Sequence, residues 1–138
     1  MALAPEDEAL IETAREAIRR RYRPGWHAVG VALRTRAGKI VTGVNLDAYI
    51  ARAAICAEAV ALGRAITEHG DDGIDMVVAV RHPRPEAADQ TLRVISPCGL
   101  CRELISDYDP KARVLVPTDD AVVPVAIGEL LPNKYQKF

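Results

Sequence analysis

Ile74-Asp75-Met76-Val77-Val78-Ala79-Val80 is the stretch on which the fold turns. It is a short, valine-rich apolar run and reads as a central strand. Before it, residues 55–69 carry a helical pattern in which Ile55, Ala59, Leu62 and Ile66 repeat at helical spacing. Gly70 can supply that helix's C-cap. After it, residues 82–93 open with His82-Pro-Arg-Pro-Glu86, the punctuation of a loop. A further helix is expected from Cys98 to about Ser106.

Working outward, residues 27–35 and 39–46 read as a hairpin around Ala37-Gly38, with Val29, Val31 and Leu33 alternating with smaller residues. Residues 5–21 read as an amphipathic helix with Ala9, Leu10, Ala14, Ala17 and Ile18 in one stripe. Pro5 stands at its start with Glu6, Asp7 and Glu8, and Arg19, Arg20 and Arg21 crowd its end. That charge order suits the helix dipole, which is a simpler account of the arginines than a nucleic-acid patch. Arg113–Val116 and Val122–Ala126 are the last strands, followed by a short helix at Ile127–Leu131 and a polar tail ending in Phe138. The order α, β, β, α, β, α, β, β, α makes residues 1–138 a single α/β domain. It has one mixed five-stranded sheet with helices on both faces, a three-layer α/β/α arrangement.

Composition excludes several classes. The chain has 138 residues, 49% hydrophobic and 27% charged, and a formal net charge of -1. That is the mix of a globular protein with its own core, not of a disordered chain. Near-neutral charge argues against nucleic-acid polymers and polybasic membrane binding as partners. No apolar run is long enough to span a bilayer. The acidic start, without a basic n-region, points to a cytoplasmic protein. Three cysteines, an odd count, point to thiols or metal ligands and not to a disulfide framework.

All three cysteines fall at expected helix starts. Cys56 opens one helix in Cys56-Ala57-Glu58, and Cys98 and Cys101 open another in Pro97-Cys98-Gly99-Leu100-Cys101. Two thiols separated by two residues can meet one metal from a single helical turn. A third from a facing helix leaves one tetrahedral position of Zn²⁺ free for water. Helix N-termini favour thiolates and offset the negative charge of a three-thiolate site. Glu58 can stand beside the metal without binding it and shuttle protons. This is the Cys-x-Glu … Pro-Cys-x-x-Cys pattern of zinc nucleobase deaminases.

The chain resembles the small homotetrameric cytidine deaminases and their relatives, the blasticidin S deaminases, over nearly its whole length. The resemblance is carried by Val29-Gly-Val-Ala-Leu33, Gly38-Lys-Ile-Val-Thr-Gly-Val-Asn45, Ile55-Cys-Ala-Glu58, Ile95-Ser-Pro-Cys-Gly-Leu-Cys-Arg-Glu103 and Glu129-Leu-Leu-Pro132. It implies Zn²⁺ on Cys56, Cys98 and Cys101, and hydrolytic deamination at C4 of the cytosine ring of free cytidine or deoxycytidine. Uridine or deoxyuridine and ammonia are the products, a pyrimidine-salvage reaction. Glu58 then serves as base and acid in turn, and the Ala57 backbone N–H holds the base carbonyl. Asn45 and Asp47 match the family's sugar-binding Asn-x-Glu pair; outside that motif Asn45 reads as a strand-end turn residue.

The departures from the family pattern are specific. The arginine that usually follows the glutamate is Ala59, so Arg102 or Arg52 is left to offset the thiolates. The phenylalanine that lines the base pocket is replaced by His27. Tyr135 stands three residues after Leu-Leu-Pro, where the family places an aromatic that reaches a neighbouring subunit's site. A blasticidin S-type or modified-cytosine deaminase is the alternative by the same mechanism. A non-catalytic zinc-stabilised binding module is the alternative from another class, and Glu58 with the free metal position argues against it. His69 and His82 lack metal-ligand spacing, and Trp26 reads as an anchor for the first strand.

Overall fold

The structure, a computed structural model, describes residues 3–70 and 73–137. In chain order it contains α1 (Pro5–Arg21), β1 (Val29–Thr35), β2 (Ile40–Val44), α2 (Ala57–His69), β3 (Ile74–Arg81), β4 (Arg93–Ile95), α3 (Gly99–Tyr108), β5 (Arg113–Pro117) and β6 (Val122–Ala126). Short 3-10 turns occupy Ala51–Ala53 and Ile127–Leu130.

The apolar run from Ile74 is the centre of the sheet, as its composition requires. The path is β2-β1-β3-β5-β6, with β4 paired to β3 off that path. β3 is antiparallel to β1 and β4 and parallel to β5, so the sheet is mixed. Its alternation divides the core. Met76, Val78 and Val80 pack with Leu10, Ile11, Ala14 and Ile18 of α1 on one face. Val77 and Ala79 pack with Ala57, Ala61 and Leu62 of α2 and Ile105 of α3 on the other. The three layers and five expected strands are therefore present, and β4 is a sixth. It is three residues long and owes its existence to the open edge of β3 beyond the β5 pairing.

α1 has the expected bounds, with Pro5 in its first turn and its arginines in the last. Asp7 does more than face the dipole. It is buried and accepts a hydrogen bond from Arg34 Nη2 at 2.9 Å, while Arg34 Nε donates to Asp75 at 2.8 Å. α1, β1 and β3 are thereby joined at one end of the sheet.

α2 presents an alanine face to the sheet. Its buried residues are Ala57, Glu58, Ala61, Leu62 and Ala65, whereas Ile55 and Ile66 of the expected stripe are exposed. Gly43 on β2 explains the difference. A Cβ there would lie 2.7 Å from the Ala61 nitrogen and 2.8 Å from the Ala57 oxygen. Helix backbone thus rests on strand backbone, at a separation that leaves room only for small side chains. Gly70 ends the helix in the left-handed conformation, φ 63°.

Candidate active site

Three backbone features converge at one end of the sheet. Cys56 is the N-cap of α2 and Cys98 the N-cap of α3, both extended just before their helices. Cys101 lies one turn into α3 and is buried. The Sγ atoms of Cys56 and Cys98 are 3.6 Å apart, and all three sulfurs lie within 4.8 Å of one another. All three are free thiols. Tetrahedral zinc with bonds of about 2.3 Å needs sulfurs about 3.8 Å apart, so this donor set fits the ion in number, softness and spacing. Among the described residues no histidine or carboxylate joins the group.

Glu58 follows in the first turn of α2, held against β2 by the close approach at Gly43. Its side chain is 6% exposed. Burial raises its carboxyl above the usual carboxylate range, opposed by its own backbone N–H and by the Cys101 thiol. Burial also raises Cys101, followed by the negative charge of Glu58, and burial and the Cys98 thiol raise Cys56. Cys98 goes the other way. Burial opposes its ionisation, but the amides of Cys101 and Leu100 at the start of α3 and the neighbouring thiols outweigh it. Thiols crowded with a carboxylate resist losing protons together. A divalent cation among them reverses that resistance, which is the electrostatic logic of a metal centre.

A cavity of about 310 Å³ opens over these groups. Cys56, Ala57, Glu58, Cys98, Asn45 and Asp47 all line it. The sequence thus places six expected residues around one space, with Cys101 in the adjoining cluster. Asn45 sits where β2 ends. Its Oδ1 accepts the backbone N–H of Ala28 at 2.8 Å and of Val29 at 3.0 Å, and its Nδ2 faces the Trp26 carbonyl at 3.4 Å. Asp47 is exposed, with Oδ1 accepting the Ala48 N–H at 2.8 Å. Trp26 anchors this corner: its carbonyl accepts the Asp47 N–H and its ring meets Tyr49 edge-on.

His27 does not line the cavity. Its Nδ1 lies 2.8 Å from the Asn45 carbonyl, which can only accept, so the ring donates there and supports the strand entry. Tyr135 is 78% exposed and does not line its own chain's cavity. The tail before it is held by Lys134, paired with Glu103 at 2.9 Å and Asp107 at 2.7 Å. Arg102 donates to the Pro97 carbonyl at 2.8 Å and faces the Leu130 carbonyl at 3.4 Å. It therefore braces the Cys98 turn and does not hydrogen-bond a thiol. Phe138 lies outside the described residues. Arg81, Ile55 and Ser96 also line the cavity. Sequence reasoning passes over Arg81, whose local mark is only that it is the first charge after residues 77–80, with nothing in the segment to place it at a cavity.

Comparison with known proteins follows the same lines. The family model for the cytidine and deoxycytidylate deaminase zinc-binding region matches residues 4–116. A blasticidin-S deaminase from Bacillus cereus is 44% identical over 135 residues, 98% of this chain and 96% of that protein. A probable cytidine deaminase from Dictyostelium discoideum is 31% identical over 133 residues, 96% of this chain and 85% of that protein. The crystal structure of a cytidine deaminase from Burkholderia pseudomallei superposes with a TM-score of 0.73 at 28% identity. The match covers 93% of this chain and 98% of that one.

Proposed function

Because the chain belongs to the cytidine and deoxycytidylate deaminase zinc-binding family, a family of hydrolytic deaminases, we propose that it deaminates a cytosine nucleoside at C4, with a blasticidin S-type compound ahead of cytidine and deoxycytidine. The observation that carries the substrate order is the 44% identity, over nearly the full length of both chains, with a protein named for blasticidin S. Cytidine is the second reading, favoured by Asn45 and Asp47 at the wall of the cavity, where sugar hydroxyls would lie.

Cys56, Cys98 and Cys101 would hold the zinc. When bound, the ion supplies the Lewis acidity that makes water nucleophilic near neutral pH. Glu58 would take one proton from the attacking water and pass it to N3 of the ring, then take the second from the hydroxyl added at C4 and deliver it to the departing amine. Its burial beside the thiols suits this double duty, because a carboxyl kept out of water exchanges protons only with what enters the cavity. The Ala57 N–H, free at the first turn of α2, is placed to hold the base carbonyl. Water adds, ammonia leaves, and the cytosine becomes a uracil-type ring.

Assembly as a homotetramer belongs to the same proposal. Leu46, Tyr49, Ile50, Ile55 and Leu100 are exposed around the cavity and the α3 start, an apolar rim of the kind that packs against further copies. Tyr135 would then close a neighbour's cavity. Ammonia release from zinc-loaded protein tests the substrate proposal. Blasticidin S is expected to give the highest kcat/KM in a panel with cytidine and deoxycytidine. Faster turnover of cytidine would reverse the order, and no release from any of the three would end the proposal.

A further inference from the structure

Arg81 is the last residue of β3, and its place is fixed from both sides. Its backbone pairs with Val29 of β1 and with Arg93 of β4. Just beyond it, the His82 N–H donates to the Ala28 carbonyl at 2.7 Å, and the His82 ring stacks on Tyr22 with centroids 3.6 Å apart. Strand alternation puts Arg81 on the same face as Val77 and Ala79, the face that carries α2. Side chain and cavity therefore meet: among the described residues, Arg81 is the one cation lining the cavity over Cys56 and Glu58. It also lines an adjoining groove of about 690 Å³ between residues 22–28 and 81–86, and the two spaces share Val29, Asn45 and Arg81.

Arginines nearby in the sheet and on α3 have defined partners; Arg34 on β1 and Arg36 just after it bind carboxylates, and Arg102 on α3 binds carbonyls. Among the described residues, no hydrogen bond or ion pair engages the Arg81 guanidinium. The thiols of Cys56 and Cys98, Glu58 and the exposed Arg81 line the same cavity, and in a cytosine ring with C4 toward the thiols, N1 and its sugar lie on the opposite side of the ring, turned toward the rest of the lining. A guanidinium offers a planar fork of donors that matches a carboxylate or phosphate two bonds at a time. A strand end also holds such a group more precisely than a loop.

We propose that Arg81 is a specificity-determining residue that selects cytosine nucleosides bearing an anionic group, a carboxylate or a phosphate, on the sugar. This rests on the nucleoside-deaminase reading and names the substrate feature that reading leaves open.

The test compares kcat/KM of zinc-loaded protein on cytidine-5′-carboxylate, on its neutral carboxamide and on cytidine 5′-monophosphate. Arg81→Ala and Arg81→Lys are measured beside the parent protein. The parent is expected to favour the carboxylate over the carboxamide by about tenfold, mainly through KM, and less so as salt is raised. Arg81→Ala should bring that ratio close to one, and Arg81→Lys should retain part of it. The ratio is internal to each variant, so a general loss of activity does not mimic the result. A higher kcat/KM for the monophosphate than for the carboxylate assigns the site to phosphate, and the reverse to a sugar acid. Equal use of carboxylate and carboxamide by the parent protein overturns the inference, as does a ratio unaltered in Arg81→Ala. Absence of ammonia from every cytosine nucleoside overturns the deaminase reading, and this inference with it.

Discussion

Asn45 Oδ1 accepts the backbone N–H of Val29 at 3.0 Å, and that bond places one amide at both a strand junction and a cavity wall. The same oxygen holds the Ala28 N–H, so Asn45 ties the end of β2 to the start of β1. Asn45→Ala strands both donors. It should lower folding stability by about 1–3 kcal/mol, read as a lower urea midpoint, besides any effect on substrate. Asp47→Ala removes an exposed carboxylate whose bond within the chain is to the next amide. Its urea midpoint should stay near the parent's while KM rises for cytidine but not for a cytosine derivative without sugar hydroxyls. An equal loss on both compounds would make Asp47 a loop residue only.

Replacing Cys56, Cys98 or Cys101 by serine should cost zinc and activity together, because among the described residues no fourth ligand joins the three sulfurs. Zinc content by atomic absorption and ammonia release are the paired measurements. Full activity in a zinc-free preparation of the parent protein would contradict the metal centre.

Glu58→Gln preserves shape and one hydrogen-bonding oxygen but cannot carry a proton. The variant should bind zinc and fold, with kcat reduced by a factor of at least about 100. Turnover at the parent rate would make Glu58 a bystander.

Asp109 is one carboxylate through which the fold is expected to lose stability in acid. Its carboxylate accepts Arg36 Nε at 2.8 Å and the N–H groups of Ile74 and Lys111, each at 2.9 Å. Burial opposes its ionisation, but Arg36 and those amides outweigh it and hold the group below its ordinary value of 3.8. A folded-state pKa below the unfolded one gives stability that is present above the unfolded value and lost as pH falls through the folded one. Asp109→Asn should therefore be less stable than the parent at about pH 7, and the gap should narrow toward about pH 2.5. Denaturation at both values checks this, and a constant gap would remove Asp109 from the account.

Deleting residues 134–138 removes Tyr135 and the Lys134 pairs to Glu103 and Asp107. Zinc content should be unchanged and KM should rise. Light scattering on the intact chain should give a tetramer, and an active species of monomer mass would refute the assembly.

The outline was legible because its strongest signals are local. The valine run at 74–80, the amphipathic helix at 5–21 and the left-handed Gly70 each declare themselves within a few residues. The cysteine spacing did the same for the metal centre. β4 was not legible: Arg93-Val94-Ile95 carries no pattern of its own and pairs because β3 offers an edge. The buried face of α2 was misread for a related reason. Large apolar residues dominate any periodicity count, yet the approach of Gly43 sets Ala57 and Ala61 against the strand, with Leu62 buried beside them and Ile66 turned outward. His27 and Arg81 depend on which strand lies beside which, and that information resides in the sheet and not in any one segment.

The seat of α2 on Gly43 also separates what this protein can change from what it cannot. Cys56 and Glu58 owe their positions to main chain resting on main chain, with no interposed side chain to be exchanged. The surfaces that would meet the rest of a substrate come from elsewhere: the 46–55 loop, the end of β3 and the 22–28 turn. Drift in those segments can widen or redirect the range of molecules admitted while the reacting groups stay in register. New substrates are thus open to this scaffold without reinventing its chemistry.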